Sequence, residues 1–461
     1  MTPYVNNAVQ LLGNAHSSKD RSARRTALDI IEAILESVNP EKAIRRHIRL
    51  EKEKLSVNNY SVDLAETDRI FVVGAGKASG AMATAIEKIL GDRINDGIVN
   101  VLEGTKDKYT THSIELNEAG HPIPTESGVR GAQRIIELAD SAGDRDIVIC
   151  LVSGGGSALL PLPSPPVKLK EKQELTDLLL RSGANIKEIN TVRKHISRIK
   201  GGQLATKAYP ATMLTLIISD VVGDPLDVIS SGPTVPDSST FADALRILRK
   251  YELWSNTPKS IQARLKQGLE GRIPETPKQS DPGLQKVHNQ IIASGNLAIE
   301  AAEQEGKKSS LNTLILSSHV EGEAKHFGTF LAAIAREIVL RGNPIKRPAL
   351  LIAGGETTVT LTGQGNGGRN QAVALSAALG IDGLDGVVVF SLATDGIDGN
   401  SVAAGAIVDG TTIYRARKLD LDPDRYLKEN AEYHFFEKVG DSIITGPTGT
   451  NVNDLMIIVA V

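Results

Sequence analysis

The residues of this chain that could do chemistry sit in glycine-rich loops. The first loop, Gly74-Ala75-Gly76-Lys77-Ala78-Ser79-Gly80, follows the apolar run Arg69–Val73 and precedes a helical pattern over 79–90. Glycines let backbone N–H groups approach an anion, and a helix N-terminus adds partial positive charge. Lys77 adds a full charge, so Gly74 and Gly76 are candidate phosphate-cradling positions. The spacing G-x-G-x-x-x-G departs from the dinucleotide fingerprint and is not a Walker A loop. Glu103 nevertheless ends the next strand pattern, where a ribose-binding acid would sit, so a dinucleotide reading stays open.

A second loop, Ser153-Gly154-Gly155-Gly156-Ser157, follows the apolar run Asp146–Val152. Three glycines and two hydroxyls make a concave array of donors for phosphate or carboxylate. The serines do not match the G-x-S-x-G nucleophile elbow. Beyond it, Asn190 to Gly202 carries an apolar stripe of Val192, Ile196 and Ile199. Arg193, Lys194 and Lys200 place charge elsewhere on that helix, as a solvated basic face or as a reader of an acidic substrate. Asp220 and Asp224 follow a further strand and suit Mg²⁺, or each closes an Asx turn.

The second half repeats the theme. Gly354-Gly355-Glu356 ends a strand, and Gly363, Gly365, Gly367 and Gly368 lead into a helix opening at Arg369. Arginine in a first turn opposes the helix dipole, so it calls for a compensating anion or acid. Asp395 and Asp398 follow the next strand as further candidate metal ligands. No EF-hand loop and no Cys/His zinc spacing is present. Cations, carboxylates and glycine loops at strand ends are the equipment of phosphoryl transfer. Facing one another, two such units would enclose a cleft with Lys77 on one wall and Arg369 on the other.

Composition excludes other classes. Among 461 residues, Lys+Arg total 52 and Asp+Glu 55, a net charge of −3, so no global field favours nucleic acid or an anionic membrane. Aromatic residues make up 3%, leaving few platforms for stacking bases. Hydrophobic residues make up 41%, enough for sizeable cores. Glycine, at 43 residues, is in excess of the ~7% norm. The single cysteine, Cys150, reads as a buried strand residue, which fits a reducing compartment. No signal-peptide pattern opens the chain and no apolar run reaches membrane length, so the expected compartment is the cytoplasm.

The elements that must position these loops alternate as β and α. Helical spacing covers 21–50, broken at Pro40, with the charged stretch Glu41–Lys54 following as a solvated face. Strands are expected at 69–73, 97–102, 146–152 and 213–219, with helices at 79–90, 127–139, 175–180 and 189–208. Continuously apolar strands argue for a parallel, Rossmann-like sheet covered by helices. The proline-rich segment Ile273–Gly283 reads as a linker, dividing the chain into domains 1–282 and 283–461. The second domain is a smaller α/β unit with helices at 285–304, 322–341 and 370–379 and strands at 311–316, 349–353, 359–362, 387–391 and 455–461.

The order of motifs resembles the glycerate 2-kinase family, whose C-terminal part is the MOFRL domain, here about 348–456. VGAGKASGAM, GHPIPTESG, LVSGGGSALL, NTVRKHISRIKGGQLA, ISDVVGDPLDVISSGPT, GGETTVTLTGQGNGGRNQ, ATDGIDG and GPTGTNVND occur in sequence from 73 to 454. The resemblance implies transfer of a phosphoryl group from ATP, with Mg²⁺, to D-glycerate, giving 2-phosphoglycerate in an interdomain cleft. It places the family's cleft lysine and arginine at Lys77 and Arg369. The remaining expectations are nucleotide at Gly74, Gly76, Ser153–Ser157, Gly367 and Gly368, acid substrate at Asn190, Arg193 and Glu356, and metal at Asp220, Asp224, Asp395 and Asp398. Partners beyond substrate and nucleotide are not expected, and a homodimer is an open option. Family members are often labelled hydroxypyruvate reductases, so an NAD(P)H-dependent reductase is the alternative.

Overall fold

The computed structural model describes residues 3–461, which divide into two compact units, Pro40–Ile292 and residues 3–39 with Ala293–Val461. In the first unit, β1 (Ile48–Glu51), β2 (Lys54–Val57) and β3 (Tyr60–Asp63) form an antiparallel meander. The charged stretch expected as a helical face is thus a helix, Pro40–His47, followed by paired strands. A six-stranded sheet follows, from β4 (Ile70–Ala75), β5 (Ile94–Leu102), β6 (Ile114–Ala119), β7 (Ile147–Val152), β8 (Thr212–Ile218) and β9 (Val287–Ala293), in the order β6-β5-β4-β7-β8-β9. The pairs β6·β5, β5·β4, β4·β7 and β7·β8 are parallel. Every residue of β4 and β7 is buried, as expected of strands covered on both faces.

The second unit has its own six-stranded sheet. Its strands are β10 (Asn312–Val320), β11 (Ala349–Gly355), β12 (Val387–Ala393), β13 (Gly405–Asp409), β14 (Ser442–Ile443) and β15 (Asp454–Ala460), in the order β10-β11-β15-β12-β13-β14. β10 and β11 are parallel, whereas β15 runs antiparallel to both β11 and β12. The last strand of the chain is therefore central, and its first residue, Asp454, lies opposite Gly355 and Ala393 at the far ends of its neighbours. Helix Ala324–Arg341 packs against helix Arg369–Ile381, and the approach is close: a Cβ on Gly328 would lie 2.2 Å from the Val373 carbonyl oxygen.

The expected boundary at 282/283 does not hold. Ile273–Gly283 packs onto its own unit: Thr276 is buried and donates to Asp237, and Pro277 lies against Gly202. The chain instead crosses between units near 39 and 292. Helix Ser18–Val38 belongs with the later residues because its buried face packs on helix Gly295–Lys308 and on β12. Its Arg24, fully buried, donates to Asp409 at 2.5 Å and Asp441 at 3.0 Å. Three smaller expectations also change. Residues 285–304 hold β9 before their helix. No strand forms at 359–362, where Thr360 is held by Glu323. Helix 189–208 is broken where Gly201 and Gly202 turn left-handed, at φ of 60° and 80°. Among the described residues, no helix is long and apolar enough to cross a membrane.

Removing one partner of a buried ion pair strands the other charge. Arg24→Met is therefore expected to lower unfolding free energy by about 3–5 kcal/mol, read as a lower urea midpoint. An unchanged midpoint would refute the role of this pair in holding the N-terminal helix.

Candidate functional site

In the Pro40–Ile292 unit, β4 and β7 end level, with Ala75 opposite Val152, so the loops that follow lie side by side. Ser153 Oγ accepts the Ala78 N–H at 3.0 Å, and the Gly154 carbonyl accepts the Lys77 N–H at 2.9 Å. A Cβ on Gly74 would lie 2.1 Å from the Leu151 carbonyl oxygen, and one on Gly76 would lie 2.0 Å from Ser153 Oγ. These glycines exist for backbone contact between loops. The Gly76 N–H goes to the Asn100 carbonyl at 3.2 Å, so with the Lys77 and Ala78 N–H groups also donated within the protein the loop keeps few donors for the phosphate expected at Gly74 and Gly76.

The same packing presents Lys77. Its Cγ and the His121 ring both approach the spot where a Gly155 Cβ would stand, at 3.2 Å and 3.1 Å. Burial, assisted by the Lys77 charge, holds the His121 pKa below its usual value. Asp220 places a carboxylate oxygen against Gly154, and Ser230 packs on Gly156 while donating to the Ser153 carbonyl at 3.1 Å. Ser231 Oγ donates to Asn190 Oδ1 at 3.0 Å, so Ser157 must donate to Ser231, 2.8 Å away. This relay rests on a strained turn, with Ser230 and Ser231 at φ of 51° and 62°. Lys77, Ser153–Ser157, Asp220 and Asn190 therefore converge on one loop, with Arg193 one turn along the helix from Asn190. Asp224 lies in the next turn at φ 56°.

The other unit holds a cavity of about 680 Å³ lined by Glu356, Gly367, Arg369, Asp395, Asn400 and Glu432, among others. Arg369 donates to Asp454 through Nε at 2.5 Å and to Glu356 through Nη1 at 2.9 Å. Burial works against the guanidinium charge, but Asp454, Glu356 and Asp398 outweigh it and hold the pKa above the usual value. Burial pushes the Asp454 carboxyl up to about 7 against the pull of Arg369. Glu432, buried near Asp398, is likewise pushed up to about 7.

Asp398 is the acid that an arginine in the first helical turn calls for. Its Oδ1 accepts from Asn370 N and Nδ2 at 3.0 and 3.2 Å, and its Oδ2 from Gln371 N and Nε2 at 2.9 and 3.0 Å. Four N–H groups fill a carboxylate's acceptor capacity. Asp398 therefore caps helix Arg369–Ile381, and those four bonds compete with the metal role expected of it. The glycine loop before that helix also spends donors internally, Gly365 on the Glu429 carbonyl and Gly367 on Asn400.

Comparison with known proteins finds matches in both units. Residues 26–266 match a family model described as a domain of unknown function (DUF4147), and residues 349–454 match the MOFRL family. The chain is 42% identical over 435 residues to a protein of Pyrococcus horikoshii named glycerate 2-kinase, covering 94% of this chain and 96% of that one. The chain belongs to the glycerate kinase family. A Thermotoga maritima protein named D-glycerate 2-kinase is 42% identical over 436 residues, covering 95% of this chain and 98% of that one. A crystal structure titled glycerate kinase from the same organism superposes with a TM-score of 0.86 at 41% identity, covering 95% of this chain and all of that one.

Three residues of this glycerate kinase family member escaped sequence reasoning. His121 stood inside the motif GHPIPTESG, and Asp454 closed GPTGTNVND, yet only strand pairing puts Asp454 beside Arg369. Glu432 lies in no glycine loop and had no signal at all. Asp398→Asn, which replaces acceptor oxygen with an amide, is expected to cost about 1–3 kcal/mol of stability while leaving divalent-cation affinity unchanged. Urea unfolding together with a Mg²⁺ titration decides. Loss of cation affinity at undiminished stability would restore the metal role.

Proposed function

We propose that this protein transfers the γ-phosphoryl group of ATP, as its Mg²⁺ complex, to the 2-hydroxyl of D-glycerate, forming 2-phosphoglycerate and ADP. The likeness to named glycerate 2-kinases across nearly the whole chain carries this reading. The chemistry of the two sites supports it. Lys77 forms no ion pair among the described residues, which suits a cation held for a transferring phosphoryl group or a substrate carboxylate. Arg369 is fixed in direction by Asp454 and Glu356, which suits the same charge-stabilising work.

Among the described residues, no three His, Cys, Asp or Glu side chains group to hold a metal ion by themselves. A Mg²⁺ ion that travels with nucleotide phosphates needs only one or two carboxylates. Asp395, on the wall of the cavity that Glu356 also lines, and Asp220, beside Gly154, fit that need. Asp224 stays with them as a proposed ligand. Bound there, the cation would supply charge neutralisation at the phosphates. A reductase reading rested on the first glycine loop, whose Lys77 and Ala78 N–H groups are already donated within the protein. The proposal includes residence in the cytoplasm: burial pushes the lone thiol, Cys150, up to about 12, so it stays unreactive.

Lys77→Ala and Arg369→Ala are each expected to lower kcat/KM for D-glycerate at least about tenfold, about 1.4 kcal/mol of barrier. ³¹P NMR of the product checks the reaction itself, and near-normal activity in both variants overturns the assignment. The acidic cavity adds a pH effect. Glu432 is neutral below about 7 and ionises above it, adding negative charge to the cavity wall. Affinity for ADP measured without divalent cation is expected to fall as pH rises through 7. Glu432→Gln is expected to flatten that fall.

A further inference from the structure

Three cations lie together in the Pro40–Ile292 unit without counter-ions. Lys172, on helix Leu169–Arg181, is 2% exposed, and Lys200, after helix Ile186–His195, is fully buried. Their neighbour Arg193 has its Nε buried with no hydrogen-bond partner, and so does Asn190 Nδ2. Among the described residues, no carboxylate pairs with Lys172, Arg193 or Lys200. Lys194 beside them marks the contrast: it is paired to Asp237 at 3.3 Å and Asp227 at 3.7 Å. The three unpaired cations are close enough to repel one another. Burial, with the Arg193 charge, pushes Lys172 down to about 7, and Lys200 is held well below the usual lysine value by burial and by Lys172, Arg193 and Lys194.

Buried charge without a partner is expensive. Two buried amines and a half-buried guanidinium, set on helices and a short turn with no acid beside them, are left to take an anionic partner from a ligand. The place where it would sit is continuous with the loop already described. Lys200 Nζ reaches the Ser230 carbonyl at 3.4 Å, and the relay from Ser157 through Ser231 ends on Asn190 Oδ1, leaving Asn190 Nδ2 free.

We propose that Lys172, Arg193, Lys200 and Asn190 Nδ2 bind the carboxylate of the acceptor acid, with the Ser157–Ser231–Asn190 relay beside its hydroxyl groups. A compact hydroxy acid suits this arrangement: one end carries the charge that the cations lack, and the other carries groups that match serine hydroxyls. The inference rests on glycerate phosphorylation as the reaction and assigns that reaction's acid-binding end to residues outside the glycine loops.

The test uses Lys172→Met and Lys200→Met in the full chain. Each variant is expected to raise KM for D-glycerate at least tenfold while KM for ATP stays within twofold. Calorimetric binding of D-glycerate without nucleotide is expected to weaken in parallel. A purely structural role predicts loss of stability, whereas removing an unneutralised buried amine is expected to leave the melting temperature of the empty protein unchanged or raised. Lys172→Arg, which keeps the charge, is expected to recover part of the affinity. Unchanged KM for D-glycerate in both Met variants overturns the proposal, as does a rise confined to KM for ATP, which would give the cluster to the nucleotide. A wild-type protein that phosphorylates no glycerate overturns the reaction itself, and so is told apart from failure of this site alone.

Discussion

Where β4 and β7 end level, two backbones approach so closely that a single methyl group would collide with a carbonyl oxygen. Gly74 and Gly76 satisfy that constraint, and much of the Pro40–Ile292 site follows from it. Because the first loop lies flat on the second, the Lys77 N–H is held by Gly154, and the Lys77 side chain and the His121 ring both pack against Gly155. Because Ser153 is pinned by Ala78, its carbonyl is placed to hold Ser230, and the strained Ser230-Ser231 turn then delivers Ser231 to Asn190. A chain of contacts thus runs from a sheet register to the helix carrying Arg193. Substitution at Gly76 would disturb catalysis through position rather than through any lost ligand contact.

The other unit reaches a comparable result by a different route. Inserting β15 antiparallel between β11 and β12 brings the start of one strand to the ends of two others. Asp454 gains its place beside Arg369 from that topology. The arginine, in turn, tolerates the positive end of its own helix because Asp398 caps the first turn with four hydrogen bonds. The acids here thus divide between structure and site. Asp398 is saturated by the helix, Asp454 is engaged with Arg369, and Glu356, Asp395 and Glu432 line the cavity.

The alternation of strands and helices and the placement of glycine loops at strand ends were legible because they depend on local pattern. Apolar runs ending in glycine, such as Asp146–Gly156, carry their own evidence. What those glycines do was not legible, since close backbone packing and phosphate binding demand the same residue. The domain boundary failed for a related reason. Prolines at 274, 277 and 282 look like a linker, yet Thr276 and Pro277 are held by residues some 40 and 75 positions away in sequence. Helix Ser18–Val38 looked like the start of the first domain, and only the buried pairing of Arg24 with Asp409 and Asp441 reveals where it belongs. Long-range partners of this kind leave no trace in spacing.

Charge tells the same story at a larger scale. A net charge of −3 suggests a bland electrostatic surface. Inside, the charges are sorted: one unit buries Lys172 and Lys200, with the half-buried Arg193 near them, without acids, and the other sets Glu356, Asp398 and Asp454 about Arg369. Each imbalance is costly in isolation and becomes favourable only when the missing charge arrives. Under the proposed reaction, an acidic acceptor would answer the first and a nucleotide bearing a divalent cation the second. Two substrates of unlike electrostatic character would then each bind where the protein is locally uncompensated, so that stability forgone in the empty state is recovered as affinity.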